Sequence, residues 1–409
     1  MRPTYLIFII TFICSSFAKA DFQEDFQETD SFLASDTNAL IDSSVENNPS
    51  IKAETSTEQE IKGTKGLKAD WKTNFKINVF SDRSTTNSIL STEIYGKINW
   101  ELIDSFSFYT EGLVIGRSGF TQSIYDRTDR KNGLYLLEGY FDIILSENVF
   151  FRFGSVRQDF LQAPLVITDK TFPSLIQNIT LPFFEDSKIS FIFQQSIPDN
   201  ATEAVKRETQ VVKWTPFFLT SSVFLDLVGS KMSLQEKFTT FYFTNLSAAV
   251  AELGRIRGNT IDLMGSDSQF KYKFFTMHNN INLQIPFLEN WIFELGGDFL
   301  INILAPNSYN QGERAYLSLY HNYRNFLEVK FSGEYFANQS DTSVAYYNSE
   351  VYGHNNRVGG LFKLETHLYN SGVTLGMAYV YSQPINPRKS SIGEANSFSV
   401  FLGTNYVSI

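Results

Sequence analysis

The sequence predicts an all-β protein, a transmembrane antiparallel up-and-down β-barrel of about 16 strands with a disordered acidic N-terminal segment. Three observations carry this. From Trp71 onward, polar and apolar residues alternate with period two over long runs, the connections between runs alternate short and long, and the composition is aromatic-rich and charge-poor. Aromatic residues at 15% against charged residues at 19% exclude a chain disordered throughout. A mean hydropathy of -0.16 excludes a polytopic helical membrane protein but suits a barrel, whose lipid-facing and lumen-facing residues average out.

The N-terminus reads as an export signal over 1–20. Met1 and Arg2 precede an apolar run from Tyr5 to Ile13, and Ala18-Lys19-Ala20 supplies small residues for cleavage before Asp21. The run is too short for a membrane anchor, which needs roughly 20 apolar residues. The only cysteine, Cys14, lies inside this signal, so the mature chain is expected to hold neither disulfides nor thiolate sites. Residues 21–70 form an acidic, mostly disordered periplasmic segment. Between 21 and 60 eleven acidic residues face one base, Lys52, a balance of -10 that equals the net charge of the whole chain. Acidity therefore belongs to this spacer, whose removal is expected to leave the barrel assembled. Within it, the repeat Asp21-Phe22-Gln23-Glu24 and Asp25-Phe26-Gln27-Glu28 is the one candidate docking peptide.

Residues 71–409 supply the barrel. Trp71, Thr73, Phe75, Ile77 and Val79 alternate with Lys72, Asn74, Lys76 and Asn78, and Leu90 to Leu102 repeat the pattern over a longer run. That run suits a tilted strand crossing a bilayer better than a globular strand of about 5–6 residues. Continuing in this way gives strands at 71–80, 89–103, 106–116, 134–145, 149–157, 173–181, 188–197, 209–215, 219–229, 269–285, 291–302, 314–323, 326–337, 356–368, 372–383 and 396–409. Connections after 103, 145, 181, 215, 285, 323 and 368 are short and the others long, as in barrels with short periplasmic turns and long outer loops. Leu181-Pro182-Phe183-Phe184, Thr215-Pro216-Phe217-Phe218 and Ile285-Pro286-Phe287-Leu288 all fall at expected periplasmic turns, where proline ends a ladder and aromatics enter the interface. A secreted sandwich or propeller would also alternate. The strand length, the loop asymmetry and the lack of a blade-length repeat argue against it.

With this pattern over 71–409, the chain resembles a Gram-negative outer-membrane porin of the 16-stranded type. Its last strand, Phe398 to Ile409, stops at the chain end as the assembly signal of such barrels does, though it ends in Ile409 rather than an aromatic residue. The resemblance implies the bacterial outer membrane, contact with membrane lipid and lipopolysaccharide, insertion by the barrel assembly machinery, and a trimeric or monomeric state. It implies no cofactor and no nucleic-acid partner.

The residues offer no catalytic constellation. His278, His321, His354 and His367 are dispersed without ligand spacing, and neither Gly254-Arg255-Ile256-Arg257-Gly258 nor Gly359-Gly360 leads into a phosphate-binding helix. Transport chemistry is better supplied. On the assigned strands Glu93, Glu101, Glu111, Glu138, Asp142, Asp226, Glu294, Asp298, Glu328, Glu334 and Glu365 face inward, against Lys72, Lys76, Lys97, Arg152, Lys330, Arg357 and Lys363. Such a lumen keeps water in the pore and favours cations slightly, unless the charges only solvate the wall or pair across strands.

Two long connections stand out. Residues 158–173 interleave Phe160, Leu161, Leu165, Val166, Ile167 and Phe172 with few charges, too apolar for a waving surface loop. One reading folds this loop, with its charged residues Arg157, Asp159 and Lys170, into the pore, where Arg157 and Lys170 face the acidic wall of Glu111, Glu138 and Asp142 across a gap. The other makes it a strand extension or a latch to a neighbouring barrel. The second connection, 230–268, carries a helical stretch from Asn245 to Arg257 and is expected to cap the outer mouth. Two functions follow: passive diffusion of small hydrophilic solutes or ions, or a non-conducting structural or adhesion barrel.

Overall fold

The computed structural model describes residues 66–82, 86–120, 132–184, 187–198, 215–229, 232–264, 267–288, 290–323, 326–387 and 393–408. The expected signal at 1–20 and the expected acidic segment up to residue 65 lie outside them, and the end of that segment, 67–70, is not disordered but belongs to the first wall strand, where it pairs with the second. The chain climbs and descends through β1 (Leu67–Asp82), β2 (Thr86–Ile103), β3 (Phe106–Phe120), β4 (Gly133–Ser146), β5 (Val149–Arg157), β6 (Thr171–Phe184), β7 (Ser187–Ser196), β8 (Phe217–Gly229) and β9 (Met232–Thr244). A helix α1 (Ala248–Ile256) and a small hairpin of β10 (Ile261–Met264) and β11 (Asp267–Phe270) follow. The wall resumes with β12 (Phe274–Leu288), β13 (Trp291–Asn302), β14 (Gln311–Tyr323), β15 (Leu327–Asn338), β16 (Arg357–Leu368), β17 (Val373–Pro384) and β18 (Ala395–Thr404), ending in β19 (Val407–Ser408).

Every wall strand pairs antiparallel with its neighbour, β9 pairs with β12 across the excursion, and β1 pairs with both β2 and β18. The sheet therefore closes on itself with sixteen wall strands among the described residues, and closure removes the unpaired edges that lipid cannot hydrate. Alternation sets the two faces. On β1, Phe75 (47% exposed) and Ile77 (51%) point outward while Asn74, Lys76 and Asn78 point inward and are buried. An exterior of exposed leucine, isoleucine and phenylalanine has lipid as its only favourable surroundings. Trp71, Trp100 and Trp291 all lie at the short-turn end, with Phe183, Phe287 and Phe326, as one interfacial girdle.

The strand positions differ from expectation in one stretch. The connection expected over 230–268 contains a full wall strand, β9. Its alternation is spoilt because Gln235, Glu236 and Lys237 are consecutive, with Glu236 on the outer face, so neither face reads as an apolar stripe. The expected strand at 209–215 lies outside the described residues up to 214, and Thr215 and Pro216 are not in a strand. β8 thus runs opposite to its expected direction. Thr215-Pro216-Phe217-Phe218 lies at the long-loop end and not at a short turn, whereas Pro182 and Pro286 precede short turns, each at a break in ladder register. The expected strand at 269–285 starts only at Phe274, because 267–270 belongs to the small hairpin. The helical stretch of 245–257 is α1, capped by Ser247, whose hydroxyl accepts from Val250 N–H.

The final strand is also interrupted. At Asn405 and Tyr406 the chain leaves the ladder between β18 and β19, and Tyr406 turns into the lumen. Its hydroxyl donates to Glu111 at 2.7 Å, and Lys97 Nζ lies 3.8 Å from its ring centre. Beyond it, Ser408 Oγ donates to Asp70 at 2.6 Å.

Candidate functional site in the lumen

At the long-loop end the barrel is not empty. The loop 158–170 begins as a short 3-10 turn, Gln158–Leu161, and runs inward. Gln194 on β7 donates to the Gln158 side chain at 2.7 Å, Lys237 on β9 donates to the Phe160 carbonyl at 2.6 Å, and Asn338 on β15 reaches the Leu165 carbonyl at 3.3 Å. Contacts with inward side chains of three separated strands place the loop inside the barrel.

A second loop, 339–356, lies beside it and is almost wholly buried, with Asp341, Thr342, Ser343, Val344, Ala345 and Tyr347 at 0% exposure. The two loops are stitched together: Thr168 N–H donates to the Tyr347 carbonyl at 3.0 Å, Ser343 Oγ to Leu165 O at 2.8 Å and Ser349 N–H to Pro164 O at 2.9 Å. Tyr347 stacks on Phe243 with ring centres 5.3 Å apart and meets Phe172 edge-on at 5.4 Å. Val250 and Leu253 of α1 join the same cluster. The polar residues of the second loop are served by one another and by Asn259, whose amide donates to the carbonyls of Ser340 and Ser343 at 2.7 and 2.9 Å.

Below and beside these loops a cavity of about 220 Å³ opens against β9 and β12 to β16. Asp159, Pro164, Ile167 and Tyr352 line its loop side, and Glu294, Arg314, Tyr320, Lys330, Glu334, Lys363 and Glu365 its wall. The charges alternate and pair. Arg314 is bonded to Asp298 and lies 3.5 Å from Glu334, Lys330 lies 3.8 Å from Glu294, and Lys363 lies 3.0 Å from Glu365. Asp298 also receives His278 at 2.8 Å and the Asn280 amide at 2.8 Å, while Tyr320 donates to Glu294. Tyr352 donates to Glu334 at 2.8 Å, and burial, before any neighbouring charge, pushes its phenol above the usual range, which keeps it a donor.

The expected lumen residues fall into separate places. Asp159, Lys330, Glu334 and Lys363 come together on this cavity. Glu111, Glu138, Asp142 and Arg152 form a second group on β3 to β5, where Arg152 holds Asp142 in a two-pronged bond of 2.8 and 3.0 Å and covers the Tyr140 ring at 3.9 Å. Arg157 meets this acidic group through its backbone N–H, which donates to Glu138 at 2.6 Å, while its guanidinium pairs with Asp159 at 2.9 Å. Lys170 lies over Tyr346 at 5.0 Å. The arrangement of Arg157 and Lys170 across an open gap from the acidic wall is therefore replaced by contacts within and between the loops. Glu328 sits near the opposite rim under Tyr369 at 2.7 Å, and Arg357 donates to Gly393 O and Ser382 at the outer end. Sequence reasoning missed Lys237, hidden in the unrecognised β9, and Arg314, which stands inside a strand that starts at Gln311 rather than at residue 314. The four histidines occupy four different environments, on Asp298, on the Trp291 ring, on Asn348 and on Thr374.

A closed sixteen-stranded barrel with an apolar belt, a polar interior and inward-folded loops is the fold of the bacterial outer-membrane porins. Among solved structures the chain is similar to Pseudomonas putida OprB in its high-pH structure, with a TM-score of 0.57 and 10% identity over 84% of this chain and 94% of that one. It also matches Acinetobacter baumannii OccAB1, with a TM-score of 0.48, 10% identity and coverage of 87% and 100%. The trimer form of in-vitro-folded OmpT, an outer membrane protein of Vibrio cholerae, follows with a TM-score of 0.48, 9% identity and coverage of 83% and 99%. No protein-family model and no curated sequence matches the chain.

Proposed function

We propose that the barrel is an outer-membrane porin through which small hydrophilic solutes or ions diffuse passively, with the loops 158–170 and 339–356 as its constriction. The observation that carries this reading is the charged and tyrosine-lined cavity against β12 to β16, in a closed barrel whose exterior is apolar. Asp159, Lys330, Glu334 and Lys363 would meet a solute first at the loops. Arg152, Asp142, Glu138 and Glu111 would line the facing side of its path. Membrane lipid and lipopolysaccharide cover the belt in this reading, the assembly machinery inserts the chain, and no residue is given a catalytic role.

The alternative, a non-conducting structural or adhesion barrel, draws on the fully buried Tyr347 and Val344, which fill the lumen at loop level. Reconstitution into a planar bilayer separates the two. Steady open steps from protein that migrates as a folded, heat-modifiable band support the porin, and folded protein without steps supports the alternative.

A further inference from the structure

The lumen holds its carboxylates in two different ways. Against β12 to β16 they meet cations directly: Glu294 lies 3.8 Å from Lys330, Glu334 3.5 Å from Arg314 and Glu365 3.0 Å from Lys363. On β2 and β3 tyrosines take the place of the cations. Among the described residues Glu93 and Glu111 have no salt bridge, and their side-chain partners are phenols. Tyr95 donates to Glu93 at 2.8 Å, while Tyr109 and Tyr406 donate to the two oxygens of Glu111 at 3.1 and 2.7 Å. The lysines of this wall sit on the rings of the same tyrosines. Lys72 Nζ lies 4.7 Å from the ring centres of both Tyr95 and Tyr406, and Lys97 Nζ lies 3.8 Å from that of Tyr406.

A phenol suits this place because its hydroxyl donates without carrying charge, while its ring face attracts a cation. Each tyrosine therefore occupies carboxylate lone pairs and leaves the negative charge in place. The carboxylates are also drawn back against the wall, with Glu93 5% and Glu111 3% exposed. A cation in the lumen then feels their field but cannot exchange its water for their oxygens. Conduction needs sites weak enough to leave, and a carboxylate withdrawn in this way is such a site. We propose that Tyr95, Tyr109 and Tyr406 are positioning residues that set the cation affinity of this side of the lumen, by keeping Glu93 and Glu111 out of contact with passing cations. The proposal rests on the porin reading and adds to it the groups that tune its selectivity.

The test combines Tyr95→Phe with Tyr109→Phe, which keeps both rings and removes two of the three hydroxyls. Tyr379→Phe is the control, because that hydroxyl donates to Asn396 on the outer face at 2.6 Å. Protein that gives the heat-modifiable folded band is treated with a water-soluble carbodiimide and an amine, with and without calcium, and the labelled carboxylates are mapped by mass spectrometry. In the double variant, labelling of Glu93 and Glu111 should rise about tenfold, the scale on which one hydrogen bond to a charged group shifts an equilibrium, and calcium should suppress the gain. The reversal potential in a salt gradient should move toward cations, and adding Glu93→Gln should return most of that shift. Labelling as low as in the wild type, an equal gain in Tyr379→Phe, or a gain that calcium does not suppress overturns the proposal. So does a reversal potential that stays put in a conducting variant. Absence of open steps from every folded protein would overturn the porin reading instead, and the labelling with calcium would still decide what the tyrosines do.

Discussion

Lys237 Nζ donates a 2.6 Å hydrogen bond to the Phe160 carbonyl, tying the middle of β9 to the first turn of the loop 158–170. A side-chain hydrogen bond of this kind contributes about 0.5–1.5 kcal/mol net, and leaving a buried carbonyl unpaired costs about 1–3 kcal/mol. Lys237→Met keeps most of the side-chain volume and removes the donor, so the barrel should remain folded while the loop loses an anchor. Single-channel recordings should then show more frequent excursions in open current. A trace with unaltered size and noise would show that the anchor is immaterial.

The loop 339–356 offers a larger lever. Tyr347 is wholly buried between Phe243 and Phe172, and Tyr347→Ala should weaken the packed loops by about 3–5 kcal/mol, the range for large aromatic truncations in cores. Polymer-exclusion measurements should report a wider pore. Replacing 160–170 by a short Gly-Ser link should also raise conductance and relax charge selectivity, and unchanged conductance with an altered oligomer size would assign that loop to a latch.

Arg314→Gln removes the cation that Asp298 and Glu334 share. Breaking one side of a buried pair costs about 3–5 kcal/mol. The temperature at which the folded band is lost in detergent should fall, and the reversal potential in a salt gradient should move toward cations because one positive wall charge is gone. Loss of neither would mean that His278 and Asn280 alone satisfy Asp298.

His354 lies in the buried loop with Nδ1 3.0 Å from Asn348 Oδ1, and burial first, then Arg257, Lys170 and Arg357, hold its pKa well below the ordinary value. Loosened chain takes up the proton near pH 6.5 while the packed loop resists it. The packed state therefore has its full advantage above about pH 6.5 and loses it progressively as pH falls. Hydrogen exchange across 339–356 should quicken on acidification, and His354→Gln should flatten that dependence. Exchange that is equally pH-dependent in both proteins would place the titrating group elsewhere.

Strands with one clean apolar face were legible from sequence. The ranges 149–157 and 291–302 coincide with β5 and β13. β9 was not legible, because Glu236 breaks its outer stripe while Phe241 and Phe243 make its inner face apolar where they meet the loop cluster. The same physics divides the two loops. Leu165, Val166 and Ile167 announce their burial, whereas 339–356, rich in asparagine and serine, reads as solvent-facing. It is buried because its polar groups find partners in Asn259, Asn338, Asn348 and Asn355, and a network of mutual satisfaction leaves no hydropathy signal.

Tyr406, held between Glu111 on β3 and Lys97 on β2, lets the seam of the barrel check its own alignment. Sliding the last strand by one residue along β1 would exchange its faces and send the phenol toward lipid, away from both partners. A slide of two would keep the face but shift the ring by about 7 Å along the strand, beyond reach of the carboxylate. Only one alignment closes the ring and seats the tyrosine together, so the clasp rewards a correctly zipped cylinder over every near miss.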